Sequence, residues 1–355
     1  MLSLPRLFPL YPMLLAADFK EKVWGGRRLE SWFEEMPAEP APIGEAWVLS
    51  AHPCGPTTVT NGPLAGRTLS ELYDDFPLLI KVLSSEDDLS VQVHPSDDYP
   101  RLRAGESGKS EVWLVLDAAP GASIIYGLAE GVTPDSLRRA LERAQHDVMD
   151  CFRRVQVAAG DLVPVPPGTV HALGAGLIVA EVQQSSNTTY RLWDYGRPGT
   201  DGKPRKLHVE QALEVASYSP PPAITRPCTL GLEANTPQLM HSFARFDVWR
   251  ATCSGQWHRT APASPPTPPS SPTPPSSPTP PSSPSSPPLS LPSPAAFRAI
   301  LVLSGHGALR WCDDQGHDQH IALRPGSSLL MPASCPDYTL EARHGELALL
   351  EVTPA

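Results

Sequence analysis

Apolar residues along this chain come in short runs rich in Val, Leu and Ile, and glycine and proline punctuate the runs. Examples are "IGEAWVLSAHPCG", "PLLIKVLSS", "VWLVLDAAPGASIIYGL", "RRVQVAAGDLVPVPPGTVHAL" and "LIVAEVQQSS". Short strands bounded by such turns predict an all-β sandwich or barrel. Two stretches break the pattern. "TPDSLRRALERAQHDVMDCF" has apolar residues at helical spacing, Thr133 as a cap and Pro134 in the first turn, and so predicts a helix. "KLHVEQALEVASY" predicts a second.

The same pattern divides the chain. Residues 1–216 read as one β-rich domain with a helical insertion, "SYSPPPAITRPC" (217–228) as a linker, and 229–355 as a second β-rich domain. Inside the second lies "PPTPPSSPTPPSSPTPPSSPSSPP", within residues 261–294. A Pro/Ser/Thr repeat offers neither a core nor a sheet ladder, so it is expected to be extended, solvated and disordered. Strand-like sequence on both sides, "FDVWRATCSGQW" and "FRAILVLSGHGALRW", marks it as an inserted loop. A weak internal repeat links the halves. "GDLVPVPPGTVH" (160–171) parallels "GSSLLMPASCPD" (326–337), and "LVLDAAPGA" parallels "LVLSGHGA". Laid together, His171 falls on Asp337 and Glu111 on Arg298, so the second half lacks the polar constellation of the first.

Composition narrows the function. Of 355 residues, 41% are hydrophobic, enough for real cores, and the net charge of -10 with no basic tract argues against nucleic acid as the main partner. An anionic ligand would have to be drawn by a few local cations. The six cysteines (54, 151, 228, 253, 312, 335) are scattered without C-x-x-C, which favours reduced thiols in a cytoplasmic protein. Pro5, Pro9, Pro12 and Arg6 interrupt the apolar N-terminus and argue against a cleaved signal. No apolar run is long enough to cross a bilayer, so no membrane partner is expected.

Candidate chemistry centres on "VQVHPSDDYPRLRAGESGKSEVWLVL". Residues two apart on a strand share a face, so Gln92 pairs with His94 and Lys109 with Glu111. His171 follows the turn in "VPPGTVH". In a barrel these places can converge, and two imidazoles, a carboxylate and an amide oxygen suit Zn²⁺ or another first-row divalent ion with one position open. Taken singly, the residues leave other roles open: His94 as a strand-end cap, Glu111 as a solvated edge residue, His171 as a core histidine.

The spacing Gly160, Pro166, Gly168, His171 resembles the second cupin motif, with Ala175 where asparagine often stands. The first cupin motif fits poorly, because Gln92-x-His94 is followed by Glu111 only after a long insertion. That distortion resembles type I mannose-6-phosphate isomerase (phosphomannose isomerase) in its short bacterial form. So do "FKEKVWGGRRL", "GEAWVLSAHPCG", "FPLLIKVLSSEDDLSVQVHPSDDY", "GKSEVWLVLDAAPGASIIYGL" and "VPPGTVHALGAGLIVAEVQQSSNTTYRLWDYGR", which cover most of residues 13–215. The C-terminal half resembles the family only loosely.

The resemblance implies a mainly β fold of two cupin (jelly-roll) barrels with a few helices, the second barrel degenerate. It implies an aldose–ketose isomerase of mannose 6-phosphate and fructose 6-phosphate, working through a cis-enediol as a monomer. It implies one Zn²⁺ per chain on His94, Glu111 and His171, with Gln92 as fourth ligand. Arg191, in "NTTYRLWDYGR", matches the family's active-site arginine; the plainer reading is a surface arginine paired with Asp194. Lys109, beside Glu111, is assigned to the sugar phosphate. Lys81, among apolar residues in "LLIKVL", is a second substrate cation or a lysine at a sheet edge. Asn187 stands where family members often carry aspartate, a candidate proton carrier. The proton must then travel by a water on the metal, Glu45 or Glu181, unless the chain is a non-catalytic sugar-phosphate-binding or regulatory cupin. A cupin dioxygenase would want iron and more histidines.

Overall fold

The computed structural model describes residues 10–38, 41–102, 106–143, 146–226, 232–262, 296–333 and 335–355. The Pro/Ser/Thr repeat and the end of the linker lie outside these residues. Strand is the dominant regular structure of the described chain, arranged in three antiparallel sheets.

Two of the sheets form the N-terminal jelly roll. One has six strands, in the order Leu162–Val165, Glu111–Ala118, Leu177–Gln184, Leu78–Ser85, Ile43–Ser50 and Asp18–Gly26. The other has five: Tyr190–Trp193, Val91–Val93, His171–Leu173, Ser123–Leu128 and Phe152–Gln156. The central strands of the six-stranded sheet are buried along their whole length, which explains their unbroken apolar runs.

Period-two alternation sorts those strands between two cores. Trp113, Val115, Leu83 and Val179 point into the jelly roll, against Ile124, Tyr126 and Leu173 of the five-stranded sheet. Val112, Leu114, Ile80, Val82 and Ala180 point the other way, into a core shared with Phe246, Phe297, Leu301 and Leu350 of the C-terminal half. The third sheet therefore covers the outer face of the first. Each Val or Leu so covered contributes about 1.5–3 kcal/mol.

That third sheet runs Gln238–Ser242, Phe246–Arg259, Tyr338–Pro354, Phe297–Cys312, Ser328–Pro332, Met13–Ala16 and Thr58–Val59, with Asp318–Leu323 pairing on Phe297–Cys312. The first described strand, Met13–Ala16, is thus built into the sheet of the C-terminal half.

The internal repeat is visible as shared register. Leu162 pairs with Leu114 and Val165 with Glu111, while Ser328 pairs with Leu301 and Met331 with Arg298. Arg298 thus occupies the place of Glu111. Two positions further, Glu181 pairs with Trp113 and Glu351 with Ile300. Where the first barrel gathers imidazoles and carboxylates, the second holds a buried charge cluster. Arg259 donates to both oxygens of Glu351 (2.5 and 3.0 Å), and Arg298 lies 3.4 Å from the same carboxylate and donates to the Tyr338 hydroxyl (2.7 Å). The second barrel is degenerate in this specific sense.

Helices are few. α1 (Leu69–Leu72) starts at Thr68, whose N–H donates to Glu71, a capping box that the sequence reading passed over. α2 (Pro134–Arg143) is capped by Thr133, whose Oγ1 accepts from Ser136 N–H. The helix expected through residue 152 stops earlier, and residues 146–151 form a 3-10 turn. α3 (Val209–Val215) is the second expected helix. Among the described residues no helix is long and apolar enough to cross a membrane.

Candidate metal centre and substrate cavity

The two sheets of the jelly roll bring His94, Glu111 and His171 together. Glu111 opens a strand of the six-stranded sheet; His94 follows Val91–Val93 and His171 begins its neighbour in the five-stranded sheet. All three are fully buried, and one potential ligand atom from each lies within 4.8 Å of the others. His94 Nε2 is 3.4 Å from Glu111 Oε2, and His171 Nε2 is 3.2 Å from Oε1. Gln92, opposite His171 in register, places its amide 3.4 Å from His171 Nε2. Its Oε1 lies 3.5 Å from Ser90 Oγ.

Both imidazoles are prepared as ligands. His94 Nδ1 lies 2.9 Å from the Thr188 carbonyl and His171 Nδ1 lies 2.8 Å from that of Thr169. A carbonyl only accepts, so Nδ1 carries the proton and the Nε2 lone pair faces the centre. Burial, helped by the Lys109 charge, pushes His94 down to about 3. Burial also lowers His171. Both rings are therefore neutral near pH 7. For Glu111, burial alone would raise the pKa, but the Lys109 ammonium 2.6 Å away holds it well below the usual carboxylate range. A buried carboxylate with the Lys109 ammonium beside one oxygen, facing two imidazole nitrogens at 3.2 and 3.4 Å, is a donor set that a divalent first-row ion fits.

Above this cluster opens a cleft of about 620 Å³. Gln92, Lys109 and Trp113 form part of its lining, and each contacts one of the three residues beneath. Arg191 lies opposite Gln92 on the adjacent strand. Its Nε donates to Ser90 Oγ (3.1 Å) and its Nη1 to the Lys206 carbonyl (3.0 Å). Asp194 is taken by Arg197 and Arg205 instead, so Arg191 is not a surface arginine held by that carboxylate. Burial and the nearby Arg205 charge lower the Arg191 pKa.

Lys81 sits on a central strand, not at an edge, and is 6% exposed. Its Nζ is 3.1 Å from Glu181 Oε1 and 3.9 Å from Glu45 Oε2, with the Trp47 ring 5.1 Å below. Burial disfavours the ammonium, but Glu181 and Glu45 outweigh it and raise the pKa. Glu45 shows the reciprocal effect. Burial would raise it, whereas Lys81, Lys22 and the Trp47 N–H (2.6 Å) hold it down to about 2. Glu181 accepts from Trp113 Nε1 (3.0 Å).

Residues 13–107 match the family described as "Phosphomannose isomerase type I, catalytic domain". The chain is 42% identical over 217 residues to mannose-6-phosphate isomerase ManA of Bacillus subtilis, covering 58% of this chain and 67% of that one. It is 39% identical over 266 residues to the mannose-6-phosphate isomerase of Streptococcus mutans, covering 71% and 82%. The chain belongs to the type I mannose-6-phosphate isomerases. A crystal structure of the mannose 6-phosphate isomerase from Bacillus subtilis superposes with a TM-score of 0.74 at 29% identity, covering 97% of this chain and 99% of that chain.

For a mannose-6-phosphate isomerase, the charge of the cleft is apt. The lining carries Lys22, Lys81, Arg101, Lys109, Arg191, Arg205 and Lys206 against Glu45, Glu106 and Glu181. A cationic cleft in a chain of net charge -10 attracts a phosphorylated sugar locally. Sequence reasoning missed several of these groups. Ser90, two before Gln92, shares its face and was within reach of the same period-two argument. Glu106, Thr188, Arg205 and Lys206 lie in loops, where no periodicity signals which way a side chain points.

Proposed function

We propose that this isomerase interconverts mannose 6-phosphate and fructose 6-phosphate by moving a proton between C1 and C2 through a cis-enediol. His94, Glu111 and His171, with Gln92 as fourth, are the proposed ligands of one zinc ion. The observation that carries this reading is the donor set itself: neutral imidazoles, each with Nδ1 held by a backbone carbonyl, turn Nε2 toward a buried carboxylate 3.2 and 3.4 Å away. When bound, zinc supplies Lewis acidity toward the substrate oxygens at C1 and C2.

Each remaining role falls to a residue of the chain. Arg191, fixed by Ser90 and Lys206, presents a planar positive charge where the enediolate or the phosphate develops its contact. Lys109 and Lys81 hold the substrate's oxygens from the floor of the cleft. The phosphate, remote from the reacting carbons, supplies binding that fixes the sugar's position. Asn187 cannot carry a proton. Glu45, held near 2, is a weak base at neutral pH and acts as the counter-ion of Lys81. Glu181, which lines the cleft with its Oε1 3.1 Å from the Lys81 ammonium, is the proposed proton carrier.

The test is a coupled isomerase assay on mannose 6-phosphate with metal analysis. About one zinc per chain, turnover lost on chelation and restored by zinc, and exchange of the C2 proton with solvent are expected. Metal-replete protein that leaves mannose 6-phosphate unchanged overturns the reading.

A further inference from the structure

The segment between His94 and Glu111 contains Glu106, which lines the cleft and has no chemical role assigned above. We propose that Glu106 is a positioning residue for the metal centre, acting through the loop 186–188 on His94. The inference rests on the metal reading above.

The two imidazoles are oriented in different ways. His171 Nδ1 meets the Thr169 carbonyl two residues away, inside its own turn. His94 Nδ1 meets the Thr188 carbonyl, 94 residues along the chain. Thr188 belongs to neither the Leu177–Gln184 strand nor the Tyr190–Trp193 strand. Its loop has no ladder to place it, so its polar groups depend on other partners. Glu106 supplies them. One oxygen, Oε2, accepts from Ser186 Oγ (3.3 Å), Asn187 N–H (3.3 Å) and Thr188 Oγ1 (3.2 Å). Ser186 Oγ also reaches the Ser107 carbonyl (2.8 Å), and Gln183 Nε2 donates to the Ser186 carbonyl (2.7 Å). The carboxylate gathers three successive residues, and the last of them offers the carbonyl that fixes His94 with Nε2 toward the ion. Partners of this kind set ligand orientation and, when lost, weaken metal binding by about 10- to 100-fold.

A rival role follows from the same place. Glu106 lies beside Asn187 and lines the cleft, so it could carry the proton that Asn187 cannot. Two substitutions separate these roles, because a glutamine oxygen still accepts the loop's donors but carries no proton. Zinc affinity is measured by chelator competition on the full chain, alongside turnover and the unfolding midpoint of the metal-free protein. Glu106→Ala is expected to weaken zinc by about tenfold, with Glu106→Gln within about threefold of the parent in both zinc affinity and turnover. Thr188→Val removes one donor while keeping the carbonyl, and is expected to weaken zinc by about threefold, which tests the proposal even if Glu106→Ala does not fold. Parental zinc affinity in both Glu106→Ala and Thr188→Val overturns it. So does a Glu106→Gln enzyme that keeps zinc yet loses turnover. A parent chain that binds no zinc overturns the metal reading, and this inference with it; parental zinc binding with altered variants bears on Glu106 alone.

Discussion

Replacing Glu45 by glutamine tests the buried charge chain beneath the cleft. Glu45 is 8% exposed, and its pKa is held to about 2 against an ordinary 4.5, despite burial, by Lys81, Lys22 and the Trp47 N–H. A depressed carboxylate stabilises the fold fully above its unfolded pKa and loses that contribution as pH falls through the folded value. The shift corresponds to about 3 kcal/mol at pH 7 and to about half of that near pH 3. Urea unfolding of metal-free parent and Glu45→Gln, across pH 7 to 3, reads the difference directly. The expected gap is about 3 kcal/mol at pH 7, shrinking steadily below pH 4.5. A gap under about 1 kcal/mol at pH 7, the range of a surface pair, or one that does not change with pH, would refute the account.

Further outcomes follow from the site. Glu111→Ala and His171→Ala are expected to lose both zinc, by metal analysis, and turnover. Arg191→Ala is expected to keep zinc and to lower kcat by about 10²- to 10³-fold, because it removes a charge and not a ligand. Deleting residues 263–292 is expected to leave zinc content, turnover and the thermal midpoint unchanged.

Alternation along strands was legible in the sequence, because a period of two needs only local residues. It put Gln92 with His94 and Lys109 with Glu111, and the structure sets Gln92 and Lys109 in the cleft lining with His94 and Glu111 in the buried cluster beneath. Lys81 could be read as buried but not as central, since sheet order is a matter of distant partners. Convergence of residues 94, 111 and 171 had no local signature, and the family resemblance supplied it. Met13–Ala16 illustrates the same limit: its partners are Ser328–Pro332 and Thr58–Val59, and nothing in "MLLA" names them. The Glu106 loop was illegible for a related reason, since its hydrogen bonds join segments about eighty residues apart. The short helix at Leu69 was different, for Thr68 and Glu71 spell a capping box that could have been noticed.

Arg259 and Arg298, on the two strands between which the Pro/Ser/Thr repeat is inserted, meet on Glu351 of the Tyr338–Pro354 strand that lies between them. Ala261 and Ala296, just beyond, are tied to Asp337 and Ala333. Departure and return are thus fastened independently of what lies between them. Closure entropy grows slowly with the length of chain between two fastened ends, by about 0.6 kcal/mol per doubling, so the place is a natural port for passenger sequence. A peptide epitope or a small folded cargo grafted there would ride on the enzyme without passing through its catalytic barrel.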